Sequence, residues 1–195
     1  MAHISCWYQT GLPAKMIDIL ASDIENLKPN DFLVKSKVVG DENFKEGSVV
    51  EKVRNSKHAW IPSSHWIGGF LWYYVDRINK ENFLYDISGY DSNTIQYAEY
   101  SEGNFYKPHT DQDIGSITEP DETVRKLSFS LQLSSGDDYT GGDVKFLNTD
   151  GSTFTAPRNR GCIIVFDSRT PHEVTSVKSG IRKSLVGWIV GPRWI

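Results

Sequence analysis

The segment Lys126-Leu-Ser-Phe-Ser-Leu-Gln-Leu-Ser134 constrains the fold most, because apolar and polar residues alternate along it without a break. A period of two belongs to an extended strand, whose successive side chains point to opposite faces. Leu127, Phe129, Leu131 and Leu133 therefore form one dry face, with small polar residues on the other. Cys162-Ile-Ile-Val-Phe166 is instead continuously apolar, as in a strand buried on both faces, and Ser184-Leu-Val-Gly-Trp-Ile-Val190 resembles it until Pro192 ends the pattern. Asp143–Leu147 and Ser152–Thr155 flank Asn148-Thr-Asp-Gly151, whose Asp-Gly pair favours the positive φ angles of a hairpin turn. Short strands separated by frequent turns indicate a sandwich or closed barrel of jelly-roll type.

Before about Ile95 the texture is different. After Pro13, the residues Ile17, Leu20, Ile24 and Leu27 recur at helical spacing, and Lys28-Pro29-Asn30 supplies a stop. A second helix is expected after Ser63 and Ser64, either of which can cap it, with Ile67, Phe70, Leu71, Tyr74 and Ile78 on its apolar face. Trp60, Trp66, Trp72, Tyr73 and Tyr74 are expected mostly as core between helix and sheet, the alternative being a peptide-binding surface. The fold class is therefore mainly β with helical support (α+β). A chain of 195 residues that is 38% hydrophobic can bury one substantial core. No repeat or linker divides it, so a single domain is expected over 1–195, with 1–94 a mostly helical support and 95–195 the β core.

Charge narrows the partners. With 21 basic and 25 acidic residues the net charge is -4, which suggests neither a nucleic acid nor an anionic membrane surface as partner. Cys6 and Cys162 form no CxxC and no disulfide framework, and Met1–Ser5 is not a basic segment leading into an apolar one. A soluble, cytoplasmic protein in a reducing compartment is expected. The sequence is silent on oligomeric state.

The chemistry concentrates in Tyr106-Lys-Pro-His-Thr-Asp111. In an extended backbone, residues i and i+2 point to the same side, so His109 and Asp111 can present an imidazole and a carboxylate to one point. His172, just after the buried strand ending at Phe166, can supply a third ligand. Two histidines and one carboxylate on one face of a divalent ion form the facial triad of non-heme Fe(II) oxygenases, which leaves the opposite positions open. His3, His58 and His65 lack an acidic residue at comparable spacing and read as scaffold; a rival metal pair of His58 and His65 has no carboxylate. Downstream, in Ser179-Gly-Ile-Arg-Lys-Ser184, Arg182 and Ser184 face one side of a strand while Lys183 points away. Arg182 offers a planar fork suited to a carboxylate.

Taken in order, these segments resemble the 2-oxoglutarate and Fe(II)-dependent dioxygenases, in particular the prolyl 4-hydroxylase-like group with its PKHD-type hydroxylases. The likeness runs from about Gln96 to Trp194 and includes Gln96–Asp111, Leu127–Ser134, Tyr139-Thr-Gly-Gly-Asp143, Gly161–Ser168 and His172 through Trp188. It implies a double-stranded β-helix, iron held by His109, Asp111 and His172, and the distal carboxylate of 2-oxoglutarate held by Arg182. Ser184 and Tyr100 resemble positions lining the same pocket, and Tyr106 an aromatic position near the iron. Gln132 stands where some relatives carry a co-substrate-binding tyrosine, leaving it as a candidate pocket residue. The implied cofactors are Fe(II), 2-oxoglutarate and O2, with ascorbate as a further candidate. The implied reaction hydroxylates a C–H bond of a small molecule or of a peptidyl substrate, prolyl or other, releasing succinate and CO2.

Two other readings keep the jelly roll. One has zinc or manganese acting in hydrolysis or isomerisation, against which Arg182 counts. The other is a non-catalytic sugar- or peptide-binding module, against which the intact triad counts. The acidic stretch Gln112–Val124 reads as a solvated loop or as a lid beside the metal.

Overall fold

The computed structural model describes residues 6–9, 11–27, 34–35, 53–112, 123–148 and 150–194. In chain order the elements are β1 (Cys6–Gln9), α1 (Ala14–Leu27), β2 (Val34–Lys35), β3 (Arg54–Asn55), β4 (Lys57–Pro62), α2 (Trp66–Ile78), β5 (Gly89–Tyr90), β6 (Thr94–Tyr100) and β7 (Phe105–His109). There follow β8 (Val124–Gln132), β9 (Tyr139–Gly141), β10 (Val144–Leu147), β11 (Thr153–Thr155), β12 (Ile163–Asp167), β13 (His172–Val174), β14 (Val177–Gly180) and β15 (Arg182–Gly191). The larger sheet runs β1-β12-β8-β15-β6-β4-β2 with β5 beside β15, the smaller runs β11-β10-β13-β7-β3, and β14-β9 form a ribbon. This is a jelly roll with helical support.

Period-two patterning built the larger sheet. β8 and β15 pair so that Leu127, Phe129 and Leu131 stand beside Ile189, Gly187 and Leu185, while Ser128, Ser130 and Gln132 stand beside Trp188, Val186 and Ser184. The first set meets α1 and α2 in the main core. The polar set is not solvated, because Ser128, Ser130 and Gln132 are buried toward the smaller sheet. Gly187 is required by packing, since a Cβ there would lie 2.6 Å from the Phe129 ring. β12 is buried on both faces: Ile163 and Val165 join the main core, and Ile164 and Phe166 join Phe146 and Ala156 between the sheets. β10 and β11 form the expected hairpin, with Gly151 at φ 83°.

The first half departs from expectation in three ways. It is more than helical support, because β1 and β4 extend the larger sheet at both sides and β3 joins the smaller one. β4 alternates too irregularly, burying His58, Ala59 and Ile61, for periodicity to announce it. The cap of α2 is neither Ser63 nor Ser64 but His65, whose Nδ1 accepts from the Ile67 N–H. Its buried row is Ile67, Leu71, Val75 and Ile78, with Phe70 and Tyr74 half-buried at the flank. In α1 the stripe ends early: Ile17, Leu20 and Ile24 are buried, but Leu27 is 39% exposed. The stop at 28–30 lies outside the described residues.

The aromatic residues of this half also need correction. Trp60 (41% exposed), Trp66 and Tyr73 (60% exposed) face outward, and Trp72 and Tyr74 are half-buried. Trp60, Trp66 and Tyr73 occupy the outer sides of β4 and α2, where Trp66 donates to Asp23 of α1 at 2.7 Å, while Trp72 and Tyr74 pack against the edge of the core. No helix among the described residues is long and apolar enough to cross a membrane.

Candidate metal centre

Pairing of β7 with β13 sets His109 directly across from His172, with ring centroids 4.2 Å apart. Asp111 lies two residues beyond the end of β7, in a turn pinned from the other sheet: the N–H groups of Asp111 and Gln112 both donate to the Ser168 carbonyl, at 2.9 and 3.0 Å. Its carboxylate thereby reaches 3.8 Å from His109 Nε2 and 3.6 Å from His172 Nε2. One donor atom from each of the three lies within 4.8 Å of the others, and no other such cluster occurs among the described residues. His58 and His65 join no such group; His58 packs edge-on against Trp60, and His65 caps α2.

The histidine tautomers follow from their partners. His109 Nδ1 lies 2.8 Å from the Lys107 carbonyl and His172 Nδ1 2.9 Å from the Thr170 carbonyl. A carbonyl only accepts, so each Nδ1 carries the hydrogen and each Nε2 turns a lone pair toward the carboxylate. Burial, and then the neighbouring His172, push the His109 imidazolium pKa down to about 4. Burial alone would raise the Asp111 carboxyl, but the two imidazoles, the Ser128 hydroxyl and Arg125 outweigh it and hold it below the ordinary carboxylate value. His109 is thereby held neutral and Asp111 ionised, the protonation states that ligands must have. Lone pairs converging with no hydrogen between them repel one another until a cation lies among them, so the donor set fits a divalent ion.

The cavity in front of these atoms is walled by both sheets, with Tyr100, Ser130, Arg182, Val186 and Trp188 from the larger and Tyr106, Val144 and Val174 from the smaller. Arg182 is 2% exposed, stands across from Tyr100 in the β15–β6 register, and holds its guanidinium 5.6 Å from that ring. No carboxylate of the described residues pairs with it. Ser184, on the same side of β15, is fully buried and its Oγ has no hydrogen-bond partner among the described residues. Lys183 points the other way and reaches Glu25 on α1 at 3.4 Å. A buried arginine without an anion, beside an orphaned hydroxyl, is costly unless a ligand satisfies both. These residues fit a small carboxylic acid.

Tyr106 lies flat on His109, with centroids 3.5 Å apart and planes 17° from parallel, and lines the cavity. Gln132, the candidate whose role the resemblance leaves open, donates its amide to the Tyr139 hydroxyl at 2.6 Å and, like Ser184, is not among the residues lining the cavity. The proposed lid falls largely at 113–122, outside the described residues. Sequence reasoning missed Ser128, whose buried hydroxyl helps to lower the Asp111 pKa and lies 2.9 Å from Ser168 Oγ, and Arg54 and Gln96, both buried in the cavity wall. Alternation along Thr94–Tyr100 could have found Gln96; a two-residue strand gives no periodicity from which to find Arg54.

Residues 95–190 match the model of a family described as the 2OG-Fe(II) oxygenase superfamily. A PKHD-type hydroxylase of Acaryochloris marina is 34% identical over 96 residues, covering 49% of this chain and 41% of the relative. Another, from Prochlorococcus marinus, is 36% identical over 95 residues, covering 49% and 40%. The matched stretch thus spans about two fifths of these curated relatives. Among solved structures, a Pseudomonas putida prolyl-4-hydroxylase superposes with a TM-score of 0.71 at 23% identity, over 98% of this chain and 94% of the other. A Trichoplax adhaerens prolyl hydroxylase, in complex with a hypoxia inducible factor peptide fragment, gives a TM-score of 0.75 at 16% identity, over 96% and 84%. At these identities the superpositions establish the shared jelly-roll fold.

Proposed function

We propose, from the match of residues 95–190 to the 2OG-Fe(II) oxygenase superfamily, that this protein is an Fe(II)- and 2-oxoglutarate-dependent hydroxylase of an amino-acid or peptidyl C–H bond, prolyl or other, releasing succinate and CO2. The observation that carries the reading is that the His109–Asp111–His172 triad shares a cavity wall with a buried arginine that has no carboxylate partner among the described residues. A hydrolase or isomerase would leave Arg182 and the Ser184 hydroxyl unexplained. The peptidyl class is favoured by the prolyl hydroxylases that share the fold, one of them bound to a peptide.

Iron, when bound, supplies oxygen activation at the expense of 2-oxoglutarate. The chain supplies geometry. His109, Asp111 and His172 would hold the ion, with both ring planes fixed by the Nδ1–H bonds to Lys107 and Thr170. Arg182 would grip the distal carboxylate of the co-substrate, with the Tyr100 hydroxyl and Ser184 as further donors to it. Val144, Val174 and Val186 give the cavity an apolar lining, to which Tyr106 and Trp188 add aromatic walls. No side chain needs to act as a nucleophile.

The test is succinate formation from 2-oxoglutarate in air, with and without Fe(II), across a panel of amino acids and prolyl peptides. The reading predicts iron-dependent succinate, stimulated by the true substrate and lost in Asp111→Ala. Folded protein that yields no succinate above the Asp111→Ala background would overturn it.

A further inference from the structure

The cavity holds a second buried arginine. Arg54 on β3 is 7% exposed, and its environment is neutral: Nε donates to Ser56 Oγ at 3.0 Å and Nη2 to Gln96 Oε1 at 2.7 Å. The Nη1 hydrogens have no partner among the described residues. This is unusual in this molecule, where Arg77, Arg125, Arg158, Arg160 and Arg169 each hold a carboxylate. Two arginines of the cavity wall, Arg54 and Arg182, pair with no acidic side chain of the described residues.

Their positions differ. Arg182 sits with Ser184 and Tyr100 on the larger sheet. Arg54 comes from the edge of the smaller sheet and crosses to Gln96 on the larger, with its guanidinium carbon 4.8 Å over the Tyr106 ring. That ring in turn lies on His109. Arg54 is thus one aromatic layer from the His109 imidazole, and its partner Gln96 stands across from Val186 in the register that sets Arg182 across from Tyr100. A bound divalent ion and dianionic 2-oxoglutarate would balance Asp111 and Arg182, leaving the charge of Arg54 uncompensated. A buried, unpaired guanidinium is costly unless an anion meets it.

On the basis of the function proposed above, we infer that Arg54 is a specificity-determining residue that binds a carboxylate of the primary substrate, placed a few bonds from the carbon that is oxidised. The carboxylate belongs either to a free amino acid or to the terminus or acidic side chain of a peptide. Gln96 holds the guanidinium in place by a neutral bond, so that its charge stays available.

Gln96→Glu tests this without removing the arginine, because it sets a carboxylate 2.7 Å from Nη2 in an isosteric side chain. The probes are common free L-amino acids and acetylated tripeptides, acidic side chains included, each as the acid and as its primary amide. They are titrated anaerobically into protein loaded with Fe(II) and 2-oxoglutarate, following the visible band of the chelate and the fluorescence of Trp188 and its neighbours. In the native protein at least one acid should bind tenfold or more tightly than its amide. That preference should vanish in both Gln96→Glu and Arg54→Gln, and Gln96→Glu should raise the melting temperature of the unliganded protein. A response from amino acids alone identifies a small-molecule substrate, and a response from peptides alone an acidic peptide. If the band forms but no acid outperforms its amide, or the preference survives in Gln96→Glu, the inference falls and the hydroxylase reading stands. If no band forms in the native protein, both fall.

Discussion

The two faces of strands β8 and β15 do different work with the same backbone. On one face Leu127, Phe129, Leu131, Leu185 and Ile189 join α1 and α2 in the main core, where area and shape are what matter. On the other, Ser128, Ser130, Arg182 and Ser184 are buried too, yet among the described residues Arg182 meets no carboxylate and the Ser184 hydroxyl no hydrogen-bond partner. The helix side is complete as it stands. The cavity side is complete only with a ligand, so stability should belong to the first face and binding to the second.

Substitutions can break that division. The largest effect expected is from Asp111→Ala, which should abolish iron-dependent turnover, a loss well beyond the about 10–100-fold typical of an outer-shell partner, while circular dichroism stays native. Next, Leu185→Ala on the helix face should cost about 2–5 kcal/mol in denaturant unfolding and leave the 2-oxoglutarate affinity of the folded fraction unchanged. Arg182→Gln should weaken 2-oxoglutarate binding by on the order of a hundredfold, as loss of a charge-assisted anchor does, with little change in unfolding. If Leu185→Ala altered affinity or Arg182→Gln unfolded the protein, the division would fail.

Smaller effects sharpen it. Ser184→Ala removes an orphaned buried hydroxyl, so the unliganded protein should gain up to about 1 kcal/mol while 2-oxoglutarate binding weakens several-fold. Opposite signs are the signature of a group placed for a ligand. Asp167 is the polar exception at the rim of the helix face, accepting from Tyr85 at 2.6 Å and from Arg169 Nε at 2.9 Å. Burial would raise its pKa, but these bonds outweigh burial and lower it. A lowered carboxyl stabilises the fold above its unfolded value of about 4 and loses that contribution as pH falls through the folded value. Asp167→Asn should therefore reduce stability at pH 7 and flatten the decline below about pH 4, as followed by thermal melts.

The sequence carried the strands of the second half because Leu127–Leu133 and Cys162–Phe166 each show one unambiguous pattern. An extended backbone does set Arg182 and Ser184 on one side of β15, as the spacing implies, whereas Asp111 meets His109 from a turn beyond β7. What the sequence could not carry was set across the sheets. The Ser168 carbonyl that pins Asp111, the face of the helix core on which Trp60 does not lie, and the meeting of Arg54 with Gln96 all depend on pairings between distant segments. Gln132 shows the converse, a strand residue on the expected face whose amide is occupied by Tyr139.

The central claim is that the cavity is shaped for iron and 2-oxoglutarate together. Anaerobic addition of 2-oxoglutarate to the Fe(II)-loaded protein measures it most directly, through the visible charge-transfer absorption of the chelate. The account predicts a band that saturates at one equivalent in the native protein, needs far more 2-oxoglutarate in Arg182→Gln, and is absent in Asp111→Ala. Folded native protein that binds Fe(II) but shows no band would contradict it.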